Sequence, residues 1–139
     1  MRVVLVDTGA FLALVDSKDA FHSEALRVST VLASEGAALF TTNLLVAETY
    51  TIILRKLGGG TARRWISNYD LPVVRVTAED ERRAVEIIRT PAGPNSEHFH
   101  PYSYFDATSF AVMERLDIKD AFGFDRHFQL RGFNLVTTF

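Results

Sequence analysis

Val3-Val4-Leu5-Val6-Asp7-Thr8-Gly9 is the stretch that decides how this chain folds. Its first four residues are apolar and mostly β-branched, the pattern of a strand buried on both faces in a parallel sheet. Asp7 closes the strand, and Thr8-Gly9 lead into a short apolar helix over residues 10–15. An ionised carboxylate at the end of a buried strand is costly unless something compensates it. Ala121-Phe122-Gly123-Phe124-Asp125 repeats the arrangement, an apolar run closed by an acid.

Outward from that stretch, strands and helices alternate. A helix is expected over 19–35, with Phe21, Ala25, Val28 and Leu32 on one stripe and Gly36 as its stop. A brief strand follows at 38–41. Residues 43–57 form the clearest helix, with Val46, Tyr50, Ile53 and Leu57 as its stripe and Gly58-Gly59-Gly60 as its break. Thr61 is expected to cap a helix reaching Tyr69. A strand at 73–76 precedes a helix at 77–89, whose acidic start (Glu79, Asp80, Glu81) suits the helix dipole. Residues 91–101 read as a loop, 103–116 as a helix, and 119–124 and 133–137 as strands. Such alternation implies an α/β domain with a mainly parallel sheet covered on both sides.

With 139 residues, 47% hydrophobic and 23% charged, the chain reads as one globular domain spanning 1–139. There is no cysteine, which excludes disulfides, thiolate metal sites and a cysteine nucleophile and suits a reducing cytoplasm. No apolar run is long enough for a membrane helix, and the N-terminus is too short before its first acid to be a signal peptide. The net charge of −2 disfavours a generic nucleic-acid binder, but cations held by an acidic cleft would reverse its sign.

Four acids stand out: Asp7, Glu48, Asp106 and Asp125. In open α/β sheets, ligands gather beyond the carboxyl ends of the strands, where Asp7 and Asp125 are expected. Asp106 falls in the first turn of its helix, where the dipole favours an anion. Glu48 lies on the helix face shared with Leu44, Thr51 and Arg55. Taken singly, each has a plainer role. Asp7 suits a turn or a helix cap, Asp125 a helix cap, Asp106 a capping box with Ser103, and Glu48 a solvated surface. Four carboxylates meeting at one edge would instead suit hard divalent cations, which take oxygen ligands. Two-metal phosphodiester hydrolysis uses such a group and needs no histidine or cysteine nucleophile.

These segments carry a family resemblance. Leu5-Val6-Asp7-Thr8-Gly9-Ala10-Phe11, Val46-Ala47-Glu48-Thr49-Tyr50, Asp106-Ala107-Thr108-Ser109-Phe110-Ala111 and Ala121-Phe122-Gly123-Phe124-Asp125-Arg126-His127-Phe128 resemble the motifs of PIN-domain proteins. Within that family the chain resembles the small single-domain VapC-type toxins of toxin–antitoxin pairs. The resemblance implies a three-layer α/β/α sandwich and an endoribonuclease dependent on Mg²⁺ or Mn²⁺. It assigns catalysis to Asp7, Glu48, Asp106 and Asp125. Asp7, Asp106 and Asp125 would be nearest the metal, with Glu48 bound through water and Thr8 in support. It further implies an RNA substrate, a homodimer, an antitoxin partner and a cytoplasmic location.

Other residues are read more plainly. Arg55-Lys56, Arg63-Arg64, Arg82-Arg83, Arg126 and Arg131 are candidate phosphate contacts, with Arg126 and then Arg55 favoured. Trp65 and Tyr69 suit packing better than base stacking. His98 and His100 read as exposed loop residues, and His127 as a surface side chain. A catalytically idle PIN-like module that binds RNA or protein is the competing reading. A phosphoaspartate role for Asp7 fits poorly, because Gly9 stands where haloacid-type phosphatases have a second acid. Gly58-Gly59-Gly60 follows a helix rather than a strand, so it is no dinucleotide-binding turn.

Overall fold

The computed structural model describes residues 1–90 and 102–137. Five strands, β1 (Val3–Val6), β2 (Ala38–Thr42), β3 (Val73–Val74), β4 (Asp120–Phe122) and β5 (Asn134–Leu135), pair in the order β3-β2-β1-β4-β5, all parallel. Helices α1 (Thr8–Val15), α2 (His22–Ser34), α3 (Asn43–Leu57), α4 (Gly59–Asn68), α5 (Ala78–Arg89), α6 (Tyr104–Leu116) and α7 (His127–Leu130) cover the two faces. Among the described residues, no helix is long and apolar enough to cross a membrane.

The alternation of β1 builds the three layers. Val4 and Val6 face one core, with Phe11, Val28, Leu32, Ile53 and Trp65 from α1 to α4. Leu5 faces the other, with Ile87, Phe110, Met113 and Phe128 from α5 to α7. A central strand with both faces covered must be apolar throughout, as this one is. The α5–α6 pair is pinned by a buried charge. Arg115 Nε and Nη2 donate to the two oxygens of Asp80 at 2.9 Å each, while Asp80 and Thr77 form a capping box at the start of α5.

Several boundaries differ from the sequence expectations. Phe21 is half exposed and stands just before α2, where its ring stacks on Phe124 at 4.4 Å instead of joining the core stripe. Gly59 and Gly60 belong to α4, so only Gly58, at φ +90°, breaks the chain there; Thr61 caps nothing. In α3 the fully buried positions are Leu45, Thr49 and Ile53, one step round from the expected stripe. The outer strands β3 and β5 are shorter than expected, two residues each. The proposed 91–101 loop, with His98 and His100, lies outside the described residues.

β1 has β2 on one side and β4 on the other, so successive connections leave it in opposite directions. Such a switch point opens a crevice at the carboxyl ends of the two diverging strands. Asp7 follows β1 there, and Gly123-Phe124-Asp125 follows β4.

Candidate active site

Asp7 is held by its backbone. Its N–H donates to Phe122 O at 2.9 Å, and its carbonyl accepts from the Ala10 and Phe11 amides at the start of α1. Its side chain makes no capping hydrogen bond, so the cap reading of this residue fails. The residue is buried, at 6% exposure. Gly123 lets β4 pass beside it: a Cβ there would stand 3.0 Å from Asp7 Cβ and 3.2 Å from Oδ2. Burial, and then the neighbouring Asp106 and Glu48 carboxylates, push the Asp7 carboxyl up to about 8; the Thr8 amide works the other way and Asp125 adds a smaller increase.

Glu48 reaches the same crevice from α3 and is fixed by a short hydroxyl relay. Thr49 Oγ1 donates to Thr8 Oγ1 at 3.0 Å, and Thr8 Oγ1 donates to Glu48 Oε1 at 2.7 Å. Thr49 is fully buried and Thr8 nearly so, which leaves these hydroxyls little choice of partner. Burial raises the Glu48 pKa, the Thr8 hydrogen bond opposes this, and Asp125 raises it further.

Asp106 and Asp125 complete the group. Ser103 Oγ accepts from the Asp106 amide at 3.0 Å, so half of the expected capping box exists, and it sets the first turn of α6. The Asp106 carboxylate itself turns to the crevice. Asp125 Oδ1 accepts from the His127 amide at 2.9 Å, an Asx turn that leads into α7. His127 Nδ1 sits 3.3 Å from Asp106 Oδ2 and 3.4 Å from Asp125 Oδ1. The reading of His127 as a surface side chain is therefore corrected: it is 18% exposed and wedged between two acids, its ring edge-on to Tyr102. Burial and then Asp125 raise the Asp106 carboxyl to about 6, partly offset by His127.

The structure thus brings all four sequence-selected acids to one crevice, with Thr8 beside them. Sequence reasoning missed Thr49, Gly123 and the position of His127. Gly123, a glycine at a strand end, was the readable signal, because such glycines mark close approach of another group.

The arginines divide. Arg55 lines a 390 Å³ depression with Glu48, and Arg126 is exposed on the lip of another with Phe21 and Phe124. Arg83 is bound to Glu114 and Glu86, and Arg82 lies 3.7 Å from Glu79. Arg131 donates to Thr90 O at 3.5 Å and lies over the Tyr102 ring, so it packs the fold and is no candidate phosphate contact. Trp65 is buried edge-on against Phe11 and stacked on Tyr69, so it is a packing residue.

The donor set fits a divalent cation. Oxygen atoms predominate, and the pKa of each of Asp7, Glu48 and Asp106 is raised in part by other carboxylates of the set. Ligand atoms of Asp106, Asp125 and His127 lie within 4.8 Å of one another. Crowded acids of this kind are what a hard cation neutralises.

Comparison with known proteins agrees with this geometry. The PIN-domain family profile matches residues 4–134. Two proteins described as the 23S rRNA-specific endonuclease VapC20, from Mycobacterium tuberculosis strains CDC 1551 / Oshkosh and ATCC 25618 / H37Rv, are each 35% identical over 135 residues, 94% of this chain and 95% of theirs. The crystal structure of Mycobacterium tuberculosis VapC20, described as a sarcin–ricin loop-cleaving toxin, superposes with a TM-score of 0.79 at 32% identity, covering 94% of this chain and 96% of that one. The chain belongs to the PIN-domain family, as an endoribonuclease of its VapC toxin branch.

Proposed function

We propose that this enzyme cuts 23S ribosomal RNA in the sarcin–ricin loop, with Asp7, Glu48, Asp106 and Asp125 as its catalytic and metal-holding residues. The observation that carries the reading is the convergence of these four acids at the β1–β4 switch point, in a fold shared over nearly its whole length with VapC20. Asp7, Asp106 and Asp125 would hold Mg²⁺ or Mn²⁺, with Glu48 reaching it through water. Lewis-acid activation of water and neutralisation of charge on the phosphate are what such an ion supplies.

The chain's own residues do the rest. The Thr49–Thr8 relay holds the Glu48 carboxylate by its Oε1. His127 holds Asp106 and Asp125 apart at a fixed spacing, and Gly123 admits the Asp7 carboxylate to the strand end. Arg55, which lines a depression with Glu48, and Arg126, which follows Asp125, are both exposed and would meet phosphates flanking the cut. As a VapC-type toxin the protein would act in the cytoplasm as a homodimer and be held inactive by a cognate antitoxin.

The test is cleavage of purified ribosomes and of a synthetic sarcin–ricin hairpin, with Mg²⁺, Mn²⁺ or chelator, beside Asp7→Asn. A single metal-dependent cut in that loop, lost in Asp7→Asn, is expected. Binding of RNA with no cut under any metal would favour the idle binding module instead.

A further inference from the structure

The depression beside Glu48 is lined by Ala47, Glu48, Thr51, Ile52, Arg55 and Phe105 and holds 390 Å³. We propose that it is a subsite for one unstacked base of the RNA, next to the scissile phosphate, with Phe105 as its stacking wall and Arg55 as its outer phosphate anchor. The inference rests on the endoribonuclease reading and adds how the strand is gripped.

The slot is continuous with the acid group at both walls. Glu48 belongs to the depression and to the crevice, and Phe105 immediately precedes Asp106 in α6. Seven residues along α3 separate Glu48 from Arg55, a rise of about 10 Å. A strand whose phosphate lies at the acids would therefore pass a base over Ala47, Ile52 and Phe105 before its next phosphate meets Arg55. The floor is apolar and the two ends carry charge of opposite sign, which suits a flat base carried between phosphates. Arg55 has no acidic partner within ion-pair distance among the described residues, and it stands exposed. Phe105 is positioned firmly: its carbonyl accepts from Thr108 Oγ1 at 3.0 Å and Ser109 Oγ at 2.9 Å, and its ring packs on the α5–α6 core. A rigid aromatic wall beside a cation is the usual platform for a single-stranded base.

The experiment measures binding, so that it does not depend on turnover. Asp7→Asn protein is titrated with a short single-stranded oligoribonucleotide carrying 2-aminopurine, whose fluorescence is quenched on stacking. The titration is repeated with Phe105→Leu, Phe105→Tyr or Arg55→Gln added, and with an oligonucleotide carrying an abasic site in place of the probe base. Phe105→Leu should weaken binding roughly ten- to a hundredfold and abolish the quench, the size of one lost stacking contact. Phe105→Tyr should restore both. Arg55→Gln, on an exposed position, should weaken binding while leaving the quench of the bound state intact. The abasic oligonucleotide should bind unmodified Asp7→Asn protein as weakly as the probe binds Phe105→Leu. Unchanged affinity and quench in Phe105→Leu, or unchanged affinity for the abasic strand, would overturn the subsite while leaving the nuclease reading intact. No RNA binding by any form would remove both.

Discussion

Replacing Asp7 by asparagine should destroy activity and yet make the metal-free protein more stable. The Asp7 carboxyl is buried beside other acids, and its pKa stands near 8 instead of the ordinary 3.8. An acid whose folded pKa is raised keeps its proton in the folded state while the unfolded chain has already released it. Between those two values the folded state binds more protons, so stability falls as pH rises from about 4 to about 8. At pH 7 the burden reaches about 4 kcal/mol as a ceiling, taking about 1.4 kcal/mol for each unit between the ordinary value and the solution pH. Asparagine has the same shape and no charge to bury, so Asp7→Asn removes this burden. For a chain of this size each kcal/mol moves the melting temperature by about 3 °C, so a gain of about 5–10 °C is expected in chelator at pH 7. The assay is thermal unfolding by circular dichroism at pH 5, 7 and 8 in EDTA, with and without excess Mn²⁺. The advantage of Asp7→Asn should grow with pH, and Mn²⁺ should raise the wild-type melting temperature far more than the variant's. A variant that melts at or below wild type at every pH in chelator would refute the reasoning, because burial and the neighbouring acids would then not be opposing ionisation of Asp7.

Other outcomes follow from single contacts. Thr49→Val removes the first donor of the relay and should lower kcat/KM for RNA about 3–30-fold with little change in melting temperature, whereas Thr49→Ser should retain activity. Gly123→Ala drives a methyl group into the Asp7 side chain and should cost about 1–3 kcal/mol in chemical denaturation and most of the cleavage activity. Arg115→Met strands the buried Asp80 carboxylate, which Arg115 and Thr77 hold below the usual range against the opposing effect of burial, and should cost about 2 kcal/mol at pH 7. Because a lowered carboxylate pKa contributes stability that is lost as pH falls, that difference should shrink below pH 4 in urea titrations at stepped pH.

The layered fold and the four acids were legible because both depend on local pattern. The doubly buried run at β1, the acids closing two strands and the break at Gly58 are each written within a few neighbouring residues. What stayed hidden depends on rotation and distance. The buried stripe of α3 is set by packing against two layers at once, and periodicity alone placed it one residue away, at Val46 and Tyr50 instead of Leu45 and Thr49. That single step concealed the hydroxyl relay, because Thr49 looked like an ordinary residue beside Glu48. His127 escaped for a similar reason: only the turn after Asp125 points its ring back at Asp106, 21 positions earlier. Phe21 left its expected stripe because the chain ahead of α2 is held by Asp19, whose carboxylate accepts from the Phe21 amide.

The order in which the acids occur along the chain has a consequence for biosynthesis. Asp7 is made first, its N–H finds its acceptor only when Phe122 has been made, and Asp125 follows on the same strand end. At synthesis rates of about 5–20 residues per second the interval between the two is on the order of ten seconds. During that interval a nascent chain carries isolated carboxylates and no crevice to gather them. An enzyme proposed to attack ribosomal RNA is thus built so that the ribosome making it meets no finished blade until the sheet has closed.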